Sequence, residues 1–309
     1  MKKLSFILPI YNEEKNIPVL YAELVKVVQK IGCNYEMVFI DDKGKDNSLQ
    51  VLLNLQNKNK NIKIIEFSRN FWHEMAVKAG IDIVTGDYIL MMDCDMQDPP
   101  QLVEQMYHKI EEWYDVVYAK RSKRAKKDGI FKNTATFMFY RLLNKLTKLY
   151  IPEDTWNFRI YTKQINDLIK NLNEQSRFLR WLFAWVGYRQ WYVEYDRGNR
   201  LHWETWYGFW RLLKLALDWV FAFSDKPLKI ATWFGFIFSG IWFLLGLLFV
   251  IMKFITPNRY VSGITTIIVL LFIIWWIQLI ILGVIGEYIG RIYNETKWRP
   301  LYIIKRIYE

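Results

Sequence analysis

The first 120 residues alternate between short apolar runs and amphipathic segments, and this alternation limits the fold more than any other feature of the sequence. The apolar runs have the length of strands, and the segments between them place apolar residues at helical spacing. The predicted strands are 4–10, 35–40, 62–67, 87–92 and 115–119, and the predicted helices are 16–31, 46–57, 72–84 and 100–113. Because strands that alternate with helices build a mostly parallel sheet covered on both faces, the sequence predicts an α/β fold with a doubly wound sheet.

Charged residues follow the predicted strands at their carboxyl ends. They are Glu13, Asp41, Asp42, Arg69, Asp93 and Asp95. The carboxyl ends of parallel strands meet at one edge of the sheet, where such folds bind ligands. A solvated sheet edge would also carry charges, but their recurrence after strand upon strand favours a binding site.

The fourth predicted strand leads into residues 93–100, which read DCDMQDPP. Side chains alternate along an extended chain, so Asp93 and Asp95 point to the same side and Gln97 can follow them. Carboxylate and amide oxygens suit Mg²⁺ or Mn²⁺. An acidic loop that caps the next helix is the alternative, because Asp98 precedes two prolines. The first strand is followed by neither of the glycine-rich phosphate loops, so we expect a metal to neutralise any bound phosphates.

The formal net charge is +11, and basic residues gather near apolar segments. Seven lysines and arginines lie in 120–132, and an aromatic-rich segment at about 129–149 follows them. This pattern predicts a helix in the lipid headgroup layer, and 205–223 predicts a second one; a solvated loop is the alternative for the basic run. An anionic membrane surface or a phosphorylated ligand is favoured over nucleic acid. With only two cysteines, the soluble part is expected in a reducing cytoplasm.

Two long apolar segments follow. Residues 233–252 carry no charge, and in 264–286 only Gln278 is notably polar. Each is long enough to span a hydrocarbon core of about 30 Å, so they predict a transmembrane hairpin, with helices at about 230–253 and 264–287. Basic flanks predict that both termini are cytoplasmic. Trp275 and Trp276 lie mid-span, which indicates helix packing and a homo-oligomer.

Four regions are expected from these patterns. They are a ligand-binding core at 1–128, a region with the interfacial helices at 129–226, the hairpin at 227–290 and a basic cytoplasmic tail at 291–309.

Five motifs occur in the order seen in inverting family-2 glycosyltransferases with the GT-A fold. They are 9–13 (PIYNE), 40–42 (IDD), 68–71 (SRNF), 93–100 (DCDMQDPP) and 151–159 (IPEDTWNFR). From residue 4 to about 290 the chain resembles the polyprenyl-phosphate glycosyltransferases, which include dolichol-phosphate mannose synthase and bacterial enzymes that charge undecaprenyl phosphate with glucose or N-acetylglucosamine.

The resemblance implies roles for named residues of this chain. The residues expected to bind the nucleotide sugar are Pro9, Tyr11, Glu13, Asp41, Asp42, Arg69 and Asp93. The residues expected to bind Mg²⁺ or Mn²⁺ are Asp93, Asp95 and Gln97. The acceptor phosphate would be bound by Arg121, Arg124, Arg197 and Arg200, and the catalytic group would be Asp154, Asn157 and Asp95.

The sequence departs from the family pattern at four places. Lys43-Gly44 stands where Gly-Ser is usual, Trp72 stands for glycine, Asn157 for aspartate and Trp206 for lysine. The bulk of Trp72 is expected to narrow the donor site. Asn157 cannot take a proton, but a lipid phosphate with a second pKa near ~6 is already largely a dianion and needs little activation.

The resemblance implies transfer of one sugar, from UDP-glucose or UDP-N-acetylglucosamine, to polyprenyl phosphate at the cytoplasmic membrane face. The anomeric configuration would be inverted, and the product would serve cell-envelope glycosylation. A processive polysaccharide synthase is an alternative, since 177–181 (RFLRW) faintly resembles the Gln-x-x-Arg-Trp motif of those enzymes. A catalytically silent membrane scaffold is another, motivated by the four departures.

Overall fold

The structure, a computed structural model, describes residues 2–121, 155–172, 179–195, 226–255, 264–297 and 299–309. Its strands are β1 Lys3–Ile10, β2 Asn34–Asp41, β3 Ile62–Phe67, β4 Tyr88–Met91, β5 Val116–Arg121, β6 Thr155–Thr162, β7 Gln190–Tyr195 and β8 Ile304–Tyr308. Its helices are α1 Asn16–Ile31, α2 Ser48–Lys58, α3 His73–Ile83, α4 Leu102–Glu111, α5 Lys163–Asn171, α6 Leu179–Val186, α7 Lys226–Ile255 and α8 Ile264–Thr296.

The strands form one sheet in the order β7-β5-β6-β4-β1-β2-β3-β8. β1 pairs in parallel with β2 and β4, β2 pairs in parallel with β3, and β5 pairs in parallel with β7. β6 lies antiparallel between β4 and β5, and β8 lies antiparallel against β3. The α/β fold with a mostly parallel sheet is confirmed, and the antiparallel strands are additions that the sequence analysis did not predict.

Both faces of the central strands are covered, which explains why these strands are apolar without alternation. Phe6 and Leu8 belong to one core, packed by α1, α2 and α4, and Ile7 belongs to a second core, packed by α3, α5 and α6. α3 lies directly on β1, because a Cβ on Gly80 would overlap the Ile7 side chain. This close contact holds the first residue of α3, His73, at the carboxyl edge of the sheet.

α7 and α8 belong to a unit of their own. Within the described residues, the stretch Ile273–Thr296 is long and apolar enough to cross a membrane, and none of it is buried. Ala231–Trp242 is a shorter apolar stretch. The segments predicted as transmembrane, 230–253 and 264–287, fall inside α7 and α8.

Two regions differ from the sequence analysis or lie beyond the structure. The predicted interfacial helices, 129–149 and 205–223, lie outside the described residues. The segment 291–309, interpreted above as one basic tail, has two parts here. α8 continues through 291–296, and β8 pairs with β3 in the eight-stranded sheet, which belongs to the other unit of the chain.

Candidate active site

A cavity of about 620 Å³ opens at the carboxyl edge of the sheet. Residues predicted for the nucleotide sugar and the metal line it: Pro9, Tyr11, Glu13, Asp42, Arg69, Asp93 and Asp95. A second cavity, of about 460 Å³, lies at the opposite edge, lined by Lys3, Tyr35 and Lys60 among others. The residues predicted for nucleotide-sugar, metal and acceptor binding do not line the second cavity within the described parts of the chain. The carboxyl edge is therefore the candidate site.

The loops after β1 and β2 are joined by hydrogen bonds. The backbone N–H of Glu13 donates to Ser48 Oγ over 3.0 Å, and Lys45 N–H donates to Asn12 Oδ1 over 2.6 Å. The Glu13 carboxylate accepts a hydrogen bond from Asn16 Nδ2 over 2.6 Å, and burial raises the pKa of Glu13. The two loops consequently form one wall of the cavity.

The paired aspartates at the end of β2 occupy different places. Asp41 is buried and does not line the cavity; burial raises its pKa to about 6, so it is mostly ionised at neutral pH. Asp42 lines the cavity, and its Oδ1 accepts a hydrogen bond from the backbone N–H of Phe71 over 2.6 Å. Burial raises the pKa of Asp42. Asp42 thus fixes the turn that leads from β3 into α3.

The turn at Trp72 has a backbone conformation that suits the glycine of the family pattern. Trp72 has φ 73° and ψ 157°, an extended conformation with positive φ that glycine adopts freely and that costs other residues about 1–3 kcal/mol. Its N–H donates to Asn70 Oδ1 over 3.0 Å. The Trp72 side chain lines the cavity yet is 76% exposed, so it lies at the mouth of the cavity and does not fill it.

The loop after β4 presents its carboxylates to the cavity. Asp95 Oδ1 accepts a hydrogen bond from the backbone N–H of Gln97 over 3.1 Å, and Gln97 does not line the cavity. Asp98 is buried and accepts a hydrogen bond from the Tyr195 hydroxyl. The helix-cap alternative is not supported, because the N-cap of α4 is Gln101, which makes no capping hydrogen bond.

The oxygens of this loop fit a divalent cation. Within the described residues, Asp93 Oδ1 is buried and has no partner in hydrogen-bond geometry, although His73 Nε2 lies 3.3 Å away; a cation would satisfy this oxygen. The described residues hold no group of three or more His, Cys, Asp or Glu side chains placed to bind a metal by themselves. In Mg²⁺ sites, one or two carboxylates and the substrate phosphates usually supply the oxygens that bind the ion.

His73 is a cavity residue that the sequence analysis missed. Its Nε2 lies 3.3 Å from Asp93 Oδ1 and 2.6 Å from Asn157 Nδ2. Asn157 is on β6, which pairs with β4 so that its beginning lies at the same edge as Asp93. His73 therefore connects the predicted metal loop with the residue that replaces the family's aspartate. Its place directly after the polar turn that follows β3 is the signal that could have identified it.

The predicted acceptor residues lie mostly beyond the structure. Arg121 is the last residue of β5 and pairs with Tyr195 at the end of β7. Because β5 runs in the same direction as β4, its end is at the carboxyl edge. Arg124, Asp154, Arg197, Arg200 and Trp206 lie outside the described residues. Their roles remain predictions.

The sequence profile of glycosyl transferase family 2 matches residues 5–169, more than half of the chain. The chain belongs to glycosyltransferase family 2. The GT-A type of α/β fold expected from the resemblance is thereby confirmed.

Family members of nearly the same length resemble the chain throughout. "Uncharacterized glycosyltransferase YkcC" of Bacillus subtilis (strain 168) is 43% identical over 304 residues, which cover 98% of this chain and 94% of that protein. "Prophage bactoprenol glucosyl transferase homolog" of Escherichia coli (strain K12) is 37% identical over 308 residues, which cover 99% of both chains.

A solved structure of a glucosyl-3-phosphoglycerate synthase from Mycobacterium tuberculosis, in complex with Mn²⁺, UDP and phosphoglyceric acid, overlaps more distantly. The TM-score is 0.48 at 13% identity, with 71% of this chain and 76% of that chain covered.

Proposed function

We propose that this family-2 glycosyltransferase moves one sugar from a UDP-sugar, with glucose or N-acetylglucosamine favoured, to polyprenyl phosphate. One observation carries the proposal. The cavity at the carboxyl edge gathers Asp93, Asp95 and Arg69, in a chain that shares 37% identity over 99% of its length with a bactoprenol glucosyl transferase homolog. Bactoprenol is a polyprenyl alcohol, so the name of this relative supports polyprenyl phosphate as the acceptor, and undecaprenyl phosphate is the polyprenyl phosphate that we favour. The lipid-linked product would serve cell-envelope glycosylation.

Metal dependence is part of the proposal. Asp93, Asp95 and Gln97 would hold Mg²⁺ or Mn²⁺. The Oδ1 of Asp93, which is buried and has no partner in hydrogen-bond geometry within the described residues, supports this. When bound, the cation would neutralise the diphosphate and stabilise the charge that develops on the leaving nucleotide. Pro9, Tyr11 and the other predicted donor residues would place the base and ribose along the wall formed by the loops after β1 and β2.

The protein's own residues chiefly align the reactants. The acceptor phosphate arrives as a dianion, so the residues around it need to hold it in line with the anomeric carbon and need not remove a proton. Asn157, held 2.6 Å from His73, presents a neutral amide on the acceptor side. Asp154 would orient the phosphate. A single displacement of this kind inverts the anomeric configuration.

The membrane assignment rests on the second unit. The long helices α7 and α8, of 30 and 33 residues, support a two-span anchor in the plasma membrane with the catalytic unit and both termini cytoplasmic. Trp275 and Trp276 are exposed on α8, which supports packing against a second copy. Arg121, Arg124, Arg197 and Arg200 would bring the lipid phosphate to the cavity.

The full chain in vesicles that contain undecaprenyl phosphate tests the function directly. Each of UDP-glucose, UDP-N-acetylglucosamine and GDP-mannose is added with Mg²⁺, with Mn²⁺, or with a chelator. We expect one of the UDP-sugars to yield a lipid with a single added sugar by mass spectrometry, only with metal, and with an inverted anomer by NMR. A retained anomer, a sugar polymer, or the absence of any lipid-linked sugar would overturn the proposal.

Asn157→Asp tests the idea that no base is required. We expect kcat to change less than about threefold, because the acceptor is ionised without help, and activity to fall on acidification as the phosphate gains a proton near ~6. The measurement is kcat against pH at saturating substrates. Asn171→Asp, a similar change at an exposed position on α5, is the control. A rate increase of two or more orders of magnitude would show that a base is needed.

A further inference from the structure

Glu66 is a buried carboxylate near the candidate site, with three partners from two distant parts of the chain. It is 1% exposed, and its Oε1 is 2.6 Å from Lys305 Nζ and 3.2 Å from Lys43 Nζ. Its Oε2 accepts a hydrogen bond from the Tyr308 hydroxyl over 3.1 Å. Burial alone would raise the pKa of Glu66, but these hydrogen bonds hold it below its ordinary value. Glu66 is therefore an anion at neutral pH.

Two of these partners come from the carboxyl-terminal strand. Lys305 and Tyr308 lie on β8, which pairs antiparallel with β3 so that Arg306 stands opposite Glu66. On the other side of Glu66, β2 places Asp41 in register with it. In the sheet, Glu66 thus lies between β8, the last strand of the chain, and Asp41, the last residue of β2.

Lys43 adopts a conformation that requires support. Its φ is 55°, in the left-handed region where the family pattern has glycine. The loop it begins is tightly placed, because a Cβ on Gly44 would lie 2.9 Å from Asn12 Oδ1. Asn12 stands between Tyr11 and Glu13, which both line the cavity. The loop that begins at Lys43 is therefore in contact with the loop that forms the wall of the candidate donor site.

We propose that Glu66, Lys43 and Lys305 are positioning residues for the donor nucleotide. The carboxyl-terminal strand β8, which carries Lys305, would then contribute to donor binding. Lys305 neutralises Glu66 and fixes its carboxylate, Glu66 holds the ammonium group of Lys43, and Lys43 keeps the loop after β2 packed on Asn12. This inference rests on the proposed function, because it assumes that the cavity binds a nucleotide sugar.

The ion pair between Glu66 and Lys305 could instead serve only to hold β8 against β3. The chain offers a matched control for this purely structural role. Lys63 on β3 and Glu309, just after β8, form another bridge between the same two strands, 3.1 Å long. Lys63 lies near the amino end of β3, away from the cavity. Removing the charge of Lys63 should weaken the pairing of β3 with β8 without affecting donor binding.

The experiment measures UDP-glucose binding by titration calorimetry on the full-length chain with Mn²⁺, together with the thermal midpoint. We expect Lys305→Gln to raise the Kd about tenfold, the loss of one charge-assisted contact. Lys305→Arg should retain wild-type affinity, and Lys63→Gln should leave the Kd unchanged whatever it does to the midpoint. In transfer assays Lys305→Gln should raise the donor KM and leave the lipid KM within about twofold.

A double-mutant cycle tests whether Lys43 and Lys305 act on donor binding together, through Glu66. Lys43→Gly relieves the backbone strain and breaks the contact, so Lys43→Gly with Lys305→Gln should weaken binding no more than the stronger single change does. Additive losses, or a Lys305→Gln variant that loses thermal stability but binds UDP-glucose like the wild type, would overturn the inference. A wild-type chain that binds no nucleotide sugar would overturn the proposed function instead.

Discussion

Replacement of Asp95 by alanine is expected to reduce sugar transfer by about a thousandfold or more, which corresponds to ~4 kcal/mol of transition-state stabilisation. Asp95 lines the cavity just beyond the end of β4, and its Oδ1 accepts a hydrogen bond from the backbone N–H of Gln97 in the same loop. Its loss should remove a proposed metal ligand without opening a cavity in either core. The thermal midpoint should therefore change little.

The measurement is initial rate against Mg²⁺ and Mn²⁺ concentration, with metal-dependent UDP-glucose binding by calorimetry. Asp167→Ala removes an exposed carboxylate on α5, outside the cavity, and should keep the wild-type rate and affinity. If Asp95→Ala transfers sugar normally at saturating metal, the assignment of the metal loop is wrong.

The part of the site that could be predicted from the sequence is the part that local patterns determine. Phe6, Ile7 and Leu8 are buried on both sides of the sheet, so their strand is uniformly apolar and ends where the polar residues begin. The same change from apolar to polar residues at the ends of β1 to β4 located Glu13, Asp42, Arg69, Asp93 and Asp95, which the structure brings to one cavity. The predicted bounds of the first strands and helices agree with the observed bounds to within about two residues.

What could not be predicted depends on contacts between residues far apart in the chain. β6 and β8 are antiparallel strands whose neighbours, β4, β5 and β3, lie at large sequence separations, and strand pairing leaves no local periodicity that identifies the partner. The contact between Glu66 and Lys305 joins residues 239 positions apart, and the contact between His73 and Asn157 joins residues 84 apart.

The strand within 291–309 could not be predicted for a similar reason. Its basic residues are typical of a cytoplasmic flank of a membrane span. In the folded chain one of these cations, Lys305, is held by a buried carboxylate, which nothing in its local sequence indicates. Charge counting alone cannot distinguish a solvated lysine from one that has a buried partner elsewhere.

Replacement of Arg121 by alanine is expected to raise the KM for undecaprenyl phosphate about 10–100-fold, the usual effect of losing hydrogen bonds to a charged group. Arg121 ends β5 at the carboxyl edge, the edge that carries the cavity, and the resemblance places the acceptor phosphate there. The KM for UDP-glucose should change little, because the residues proposed for the donor follow β1 to β4.

The measurement is a pair of saturation curves, one for each substrate, on the full chain in vesicles of fixed lipid composition. Arg121→Lys should recover part of the lipid affinity but not all of it, because an ammonium group cannot bind a phosphate in the bidentate manner of a guanidinium group. Arg189→Ala removes an exposed arginine just before β7, at the opposite edge, and controls for the loss of one positive charge. If the donor KM rises and the lipid KM does not, Arg121 serves the diphosphate, and the acceptor approaches the cavity from another side.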